Sequence, residues 1–189
     1  MVETSVAQVS LEKQLIKGSE IDSTFKYELV KLSGSERILS CFQCGTCTSD
    51  CPVARYNGSY QPRTLIRMAI LGLKECVLKS DTLWLCAACF VCTDRCPQDI
   101  EVASVIRVFR NLAVENNCLP QVFRDQLEAV LETGYAYRIS ELRMKKRELQ
   151  NLPPLPKGNA ENIYKILKGI KIVEETQKIK GDRTHVKHQ

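Results

Sequence analysis

At 189 residues and 44% hydrophobic content, the chain is long enough to bury a core, and its makeup fits one compact domain with extended ends. The apolar run Leu83 to Cys92 is half cysteine and alanine and too short to cross a bilayer, and Met1 to Ser10 lacks the basic start and apolar core of a secretory signal. These features exclude a membrane anchor, assign the chain to the cytoplasm and imply reduced thiols. The formal charge of +5 leaves nucleic acid open until the cysteines are counted.

Residues 1–32 form an N-terminal extension in which Phe25, Tyr27, Leu29 and Leu32 alternate as a short strand. Residues 33–135 form the central domain. Its first cysteine run is Cys41, Cys44, Cys47, Cys51 and Pro52. Pro62 then starts a helix with Leu65, Ile66, Ala69, Ile70 and Leu73 on one face, and Cys76 on its buried side. The second run, Cys86, Cys89, Cys92, Cys96 and Pro97, repeats the first 45 positions downstream. Val102, Val105, Ile106, Phe109, Leu112 and Ala113 mark another helix. A third amphipathic stretch runs from Pro120 through Val122, Phe123, Leu127, Val130 and Leu131 to a stop at Gly134. The fold class is therefore mainly α.

Residues 136–189 form a helical and irregular C-terminal arm, with a charged helix over Glu141 to Leu149 and a break at Pro153, Pro154 and Pro156. A short helix follows over Ala160 to Leu167, then a mobile tail over Lys178 to Gln189. An arm this long with few apolar residues suits wrapping a partner or staying unfolded. Lys145, Lys146 and Arg147 read as an exposed helix face, and His185 and His188 as solvated tail residues.

The chemistry lies in the doubled pattern Cys-x-x-Cys-x-x-Cys-x-x-x-Cys-Pro. Three thiolates at every third position curl a loop around one cubane cluster, and the fourth ligand comes from the other run. The first [4Fe-4S] cluster is thus assigned to Cys41, Cys44, Cys47 and Cys96, and the second to Cys86, Cys89, Cys92 and Cys51. Structural zinc, which usually takes two separated cysteine pairs, and a disulfide framework are the weaker readings. Two clusters, each carrying about two negative charges with its thiolates, lower +5 by about four, so the case for nucleic acid fades. Gly45 allows close backbone approach to the sulfurs, Pro52 and Pro97 each suit a first helical turn, and Phe42, Trp84 and Phe90 read equally as excluding water from the clusters or as plain core. Cys76 and Cys118 fall outside the ligand set and read as structural. No dinucleotide turn, phosphate loop or nucleophile–base pair is present, and no catalytic residue is assigned. Fully ligated clusters leave no open iron for a substrate, so the chain reads as an electron conduit.

Two stretches carry a family resemblance: Cys41-Phe-Gln-Cys-Gly-Thr-Cys-Thr-Ser-Asp-Cys-Pro52 and Leu83-Trp-Leu-Cys-Ala-Ala-Cys-Phe-Val-Cys-Thr-Asp-Arg-Cys-Pro97. From about Ser33 to Leu119 the chain resembles the C subunits of the heterodisulfide reductases of methanogenic archaea. The motifs alone are shared with iron-sulfur subunits of succinate dehydrogenase, fumarate reductase, and glycolate and glycerol-3-phosphate oxidising enzymes. The resemblance implies an α-helical ferredoxin-like domain with two [4Fe-4S] clusters. It implies relay from a flavin-containing A subunit, which holds the FAD, to a catalytic B subunit that reduces the mixed disulfide of coenzymes M and B. Electron bifurcation at the flavin and an attached hydrogenase belong to the same expectation. This chain has no Cys-Cys pair of the kind found in the family's catalytic subunits, which assigns the substrate chemistry to a partner. The runner-up is a relay for another flavin-linked dehydrogenase. The third reading is a module whose clusters only brace a fold.

Overall fold

The structure is a computed structural model that describes residues 17–156, 158–170 and 173; Met1 to Ser10, the Lys178 to Gln189 tail and its two histidines lie outside the described residues. Among the described residues the secondary structure is helical, with no strand, in agreement with the mainly α expectation. Two compact units divide the chain at residues 109 and 110, inside one long helix.

In the first unit, α1 spans Phe25–Val30, where the alternation of Phe25, Tyr27 and Leu29 had predicted a strand. The correction has a simple cause: Phe25 and Leu29, four apart and fully buried, make one helical face, whereas Tyr27 is 57% exposed. Asp22 launches the helix by accepting bonds from the Thr24 amide at 3.0 Å and the Thr24 hydroxyl at 2.6 Å. Those bonds from Thr24 hold the Asp22 carboxyl below its ordinary range. Helix α1 packs on a 3-10 turn at Ile38–Ser40 and on the helix that begins at Pro62. The segment assigned to an N-terminal extension thus supplies core to the first unit, and burying each such Phe, Leu or Ile contributes about 1.5–3 kcal/mol.

Short helices α2 (Thr46–Ser49) and α3 (Pro52–Tyr56) follow the first cysteines, and α4 covers Pro62–Ile70 with Pro62 in its first turn. Leu65, Ile66 and Ala69 are buried as the spacing requires. The helix stops at Gly72, whose φ of +81° disfavours a side chain and whose missing Cβ leaves room for the Asp22 carbonyl. The Asp22 amide donates to the Gly72 carbonyl at 2.8 Å, pinning the N-terminal segment to this turn. Beyond the break, α5 (Lys74–Leu78) buries Val77 and Leu78. Cys76, assigned to the buried side of the Pro62 helix, lies instead on α5 and is exposed, because Gly72 ends the first helical phase.

A 3-10 turn at Asp81–Leu85 buries Leu83, α6 covers Val91–Asp94, and α7 covers Val102–Glu115. Val102, Val105, Ile106, Phe109 and Ala113 are buried as expected, and Leu112 is half-buried.

In the second unit α8 spans Gln121–Thr133 and ends at Gly134 with φ +76°, whose amide donates to the Val130 carbonyl at 2.9 Å. The C-terminal helices coincide with the expected spans: α9 is Glu141–Leu149 and α10 is Ala160–Leu167. Asn159 caps α10 by accepting from the Asn162 amide at 2.9 Å. Helices α8 and α10 pack together through a close approach of Gly134 and Gly158, where neither position has space for a Cβ. On α8 Ala129 is buried but Val122 is 74% exposed, so the apolar stripe read from sequence is only partly covered. Lys145 and Lys146 are exposed, and Arg147 donates to the Pro153 carbonyl at 2.6 Å.

Candidate iron-sulfur centres

Each cysteine run is bent by two left-handed residues at matching places. In the first, Gln43 has φ +64° and Gly45 φ +89°; in the second, 45 positions on, Ala88 has φ +52° and Phe90 φ +63°. Left-handed bends between successive cysteines turn the loop back on itself, so that side chains three apart face one space. Gly45 meets this demand without strain, while Gln43, Ala88 and Phe90 meet it at a cost of about 1–2 kcal/mol each. Gly45 precedes α2 and Phe90 precedes α6, and these two helices pack against each other.

The runs also start the longer helices. Thr48 Oγ1 accepts from the Arg63 amide at 3.0 Å, and Thr93 Oγ1 accepts from the Ala103 amide at 3.1 Å. These threonines satisfy the second amide of α4 and of α7, a capping task done here from a distance. The positive ends of both helices are thereby directed toward the cysteines.

Two cavities result. The first, with about 350 Å³ of unfilled space open partly to solvent, is lined by Cys41, Cys44, Cys47 and Cys96, with Gln43, Gly45 and Arg63 on its wall. The second, about 310 Å³, is lined by Cys86, Cys89, Cys92 and Cys51, with Tyr60, Pro62 and Ala103. Each cavity therefore gathers three cysteines of one run and the fourth of the other. All ten thiols are free of disulfides.

Burial pushes the Cys47 thiol up to about 11; the Thr48 hydrogen bond works against this, and the neighbouring Cys41, Cys44 and Cys96 add to it. Burial first, then the negative charge of Cys86, Cys47, Cys51 and Cys89, pushes Cys92 up to about 12. Cys47 lies on α2 and Cys92 on α6, the two helices that pack together, so the cavities adjoin there. Cys44 and Cys89 are exposed, and hydrogen bonding from Thr46 lowers the Cys44 thiol.

The donor set fits an iron-sulfur cluster. Buried thiols that resist ionising alone become ligands when metal charge compensates the thiolate. Among the described residues no three His, Cys, Asp or Glu side chains converge tightly enough for a single metal ion. The four sulfurs instead surround a space, as a polynuclear group requires.

Hydrogen-bond donors reach the first sulfur of each run. Gln43 Nε2 donates to Cys41 Sγ at 3.2 Å, and its Oε1 is buried without a partner. The Ala88 amide donates to Cys86 Sγ at 3.4 Å, and Tyr60 lines the same cavity, where Cys86 is the cysteine that acts most strongly on its phenol. Tyr60 is 1% exposed, and burial lifts its phenol far above the usual tyrosine range.

Some sequence assignments need revision. Phe42 is 60% exposed and lines neither cavity, whereas Phe90, 45% exposed, lines the second beside Cys89 and Cys92. Trp84 is half-buried. Pro52 opens α3 as expected, but Pro97 lies in a turn ahead of α7, which starts only at Val102. Cys118 lies off both cavities, its Sγ 3.4 Å from the Asn116 carbonyl. The sequence reading missed Gln43, Tyr60, Arg63, Thr48 and Thr93. Only the threonines had a visible signal, since they occupy the same place in both repeats.

Comparison with known proteins agrees with this geometry. Residues 37–100 match the 4Fe-4S dicluster domain family. The chain is 33% identical to the C subunit of the H(2):CoB-CoM heterodisulfide,ferredoxin reductase of Methanothermobacter marburgensis, over 85% of this chain and 87% of that protein. It is 34% identical to the iron-sulfur C subunit of the CoB--CoM heterodisulfide reductase of Methanopyrus kandleri, over 85% and 88%. With the C subunit of the Ferredoxin/F(420)H(2)-dependent CoB-CoM heterodisulfide reductase of Methanosarcina acetivorans it shares 37% identity, over 80% and 93%. Among the described residues no helix is long and apolar enough to cross a membrane. By its cysteine framework, its helical fold and these relatives, the chain belongs to the family of heterodisulfide reductase C subunits, iron-sulfur components of an oxidoreductase complex of methanogenesis.

Proposed function

We propose that this chain is the electron relay of a cytoplasmic heterodisulfide reductase. In this reading it holds two [4Fe-4S] clusters, one on Cys41, Cys44, Cys47 and Cys96 and one on Cys86, Cys89, Cys92 and Cys51. Electrons arrive from a partner that carries FAD and leave toward a partner that reduces the CoM-S-S-CoB heterodisulfide. The flavin partner is the place for electron bifurcation and for any attached hydrogenase. The chain itself carries no substrate chemistry.

The observation that carries this reading is the pair of cavities, each drawn from three cysteines of one run and one of the other. Their order supports a conduit: Cys44 is exposed in the first cavity, Cys47 and Cys92 lie on the packed helices α2 and α6, and Cys89 is exposed in the second. Each bound cluster supplies a one-electron carrier with all its iron positions taken by protein sulfur. The protein holds the sulfurs apart, aims the amide ends of α4 and α7 at them and places donors on Cys41 and Cys86. Such donors favour the reduced, more negative state.

The test is heterodisulfide-dependent oxidation of a reduced dye by the complex that copurifies anaerobically with this chain. Turnover that is lost when the chain is omitted and restored when it is added back is the expected result. An intact two-cluster complex indifferent to the heterodisulfide would overturn the terminal acceptor and point to another flavin-linked dehydrogenase.

A further inference from the structure

The donors on Cys41 and Cys86 come from different places. Gln43 belongs to the first run itself, two residues from the sulfur it serves and only half-buried. Its counterpart in the second run is Ala88, which has only a backbone amide to offer. The side-chain donor at the second cavity is Tyr60, which belongs to neither run and lies in the segment between them.

An Asn-Gly turn delivers it. Asn57 Oδ1 accepts from the Ser59 amide at 3.0 Å and the Ser59 hydroxyl at 2.6 Å, and the Tyr60 amide donates to the Asn57 carbonyl at 3.1 Å. Pro62 then fixes the start of α4 two residues later. The phenol is held rigidly in the wall of the second cavity, 1% exposed, with Cys86, Cys51 and Cys92 around it. A hydroxyl buried this deeply must have a partner, and of the cysteines lining this cavity Cys86 acts on it most strongly.

We propose that Tyr60 is a positioning residue for electron transfer, setting the potential of the second cluster alone by donating its hydroxyl to Cys86. The inference rests on the two-cluster reading above. Hydrogen bonds to ligand sulfurs stabilise the reduced cluster, and a donor in a dry, low-dielectric wall acts more strongly than one in contact with water. No residue of the first run repeats this arrangement, so the two clusters can be tuned apart although their cysteine spacing is the same.

The experiment is an anaerobic redox titration of the intact complex followed by electron paramagnetic resonance, with Cys89→Ser marking which signal belongs to the second cavity. In Tyr60→Phe, which keeps the ring and loses only the hydroxyl, that signal's midpoint should shift downward while the other stays fixed. An exchangeable-proton hyperfine coupling on the same signal should disappear. Site-specific 3-fluorotyrosine at position 60, a stronger donor of nearly the same shape, should shift the midpoint upward; this arm decides the matter if the phenylalanine variant loses iron. No shift with either variant, or equal shifts of both signals, would overturn the assignment. A wild-type complex with iron and sulfide for one cluster only would overturn the two-cluster reading, which those analyses reveal before any titration.

Discussion

At the first cavity the loop turns on Gln43 and Gly45, and Arg63 stands on the rim; at the second the loop turns on Ala88 and Phe90, and Tyr60 is buried in the wall. The backbones repeat: left-handed bends fall at the same two places, and a threonine of each run caps the next long helix. The walls do not. Ligand geometry is thus a local property that a short motif can specify twice. The surroundings that tune a cluster are tertiary, and each cavity acquires its own.

The most damaging way to probe this comparison is at the exchanged cysteines. Cys96→Ser should lower iron content by about half and remove the signal of the cluster held by Cys41, Cys44 and Cys47, as read by iron analysis and resonance spectra. Loss of the other signal instead would break the assignment of ligands to cavities.

The bends come next. Gly45→Ala should destabilise the holoprotein by about 1–2 kcal/mol through its backbone alone, since the nearest atoms to a new Cβ, on Arg63, are 3.5 Å away. Phe90→Gly should cost nothing or add up to about 1 kcal/mol, because a 45% exposed ring has little burial to lose. Denaturant unfolding of the two variants checks whether the bends share one conformational demand.

Removing the remote caps is a milder test: Thr48→Val and Thr93→Val should each cost about 1 kcal/mol. Similar losses would support the repeat, and a loss at one site only would limit it to that half. The smallest effect belongs to Cys76→Ala, expected within about 0.5 kcal/mol of wild type with unchanged iron, since this thiol is exposed on α5 and absent from both cavities.

What could be read in the sequence was local and periodic. The cysteine spacing identified the candidate ligands, and the three-four pattern gave α4, α7 and α8 because each extends over at least two turns. Six residues of α1 are too few to separate a period of 2 from one of 3.6, so Phe25, Tyr27 and Leu29 read as a strand. Cys76 was misplaced because the break at Gly72 depends on its contact with Asp22, fifty positions earlier. Tyr60 and Arg63 had no signal of their own, since folding alone brings them to cysteines of distant runs. Phe42 shows the opposite error: it adjoins Cys41 in sequence, yet it is 60% exposed and lines neither cavity.

The exchange of fourth cysteines bears on how the protein acquires its metal. Filling either cavity ties residues 41–51 to residues 86–96 and closes the same long segment of chain, so most of the entropy lost in bringing the runs together is lost at the first insertion. The second insertion finds its sulfurs already gathered. Loading should therefore be cooperative, with half-filled molecules scarce during assembly, and damage to one cluster should hasten the loss of the other.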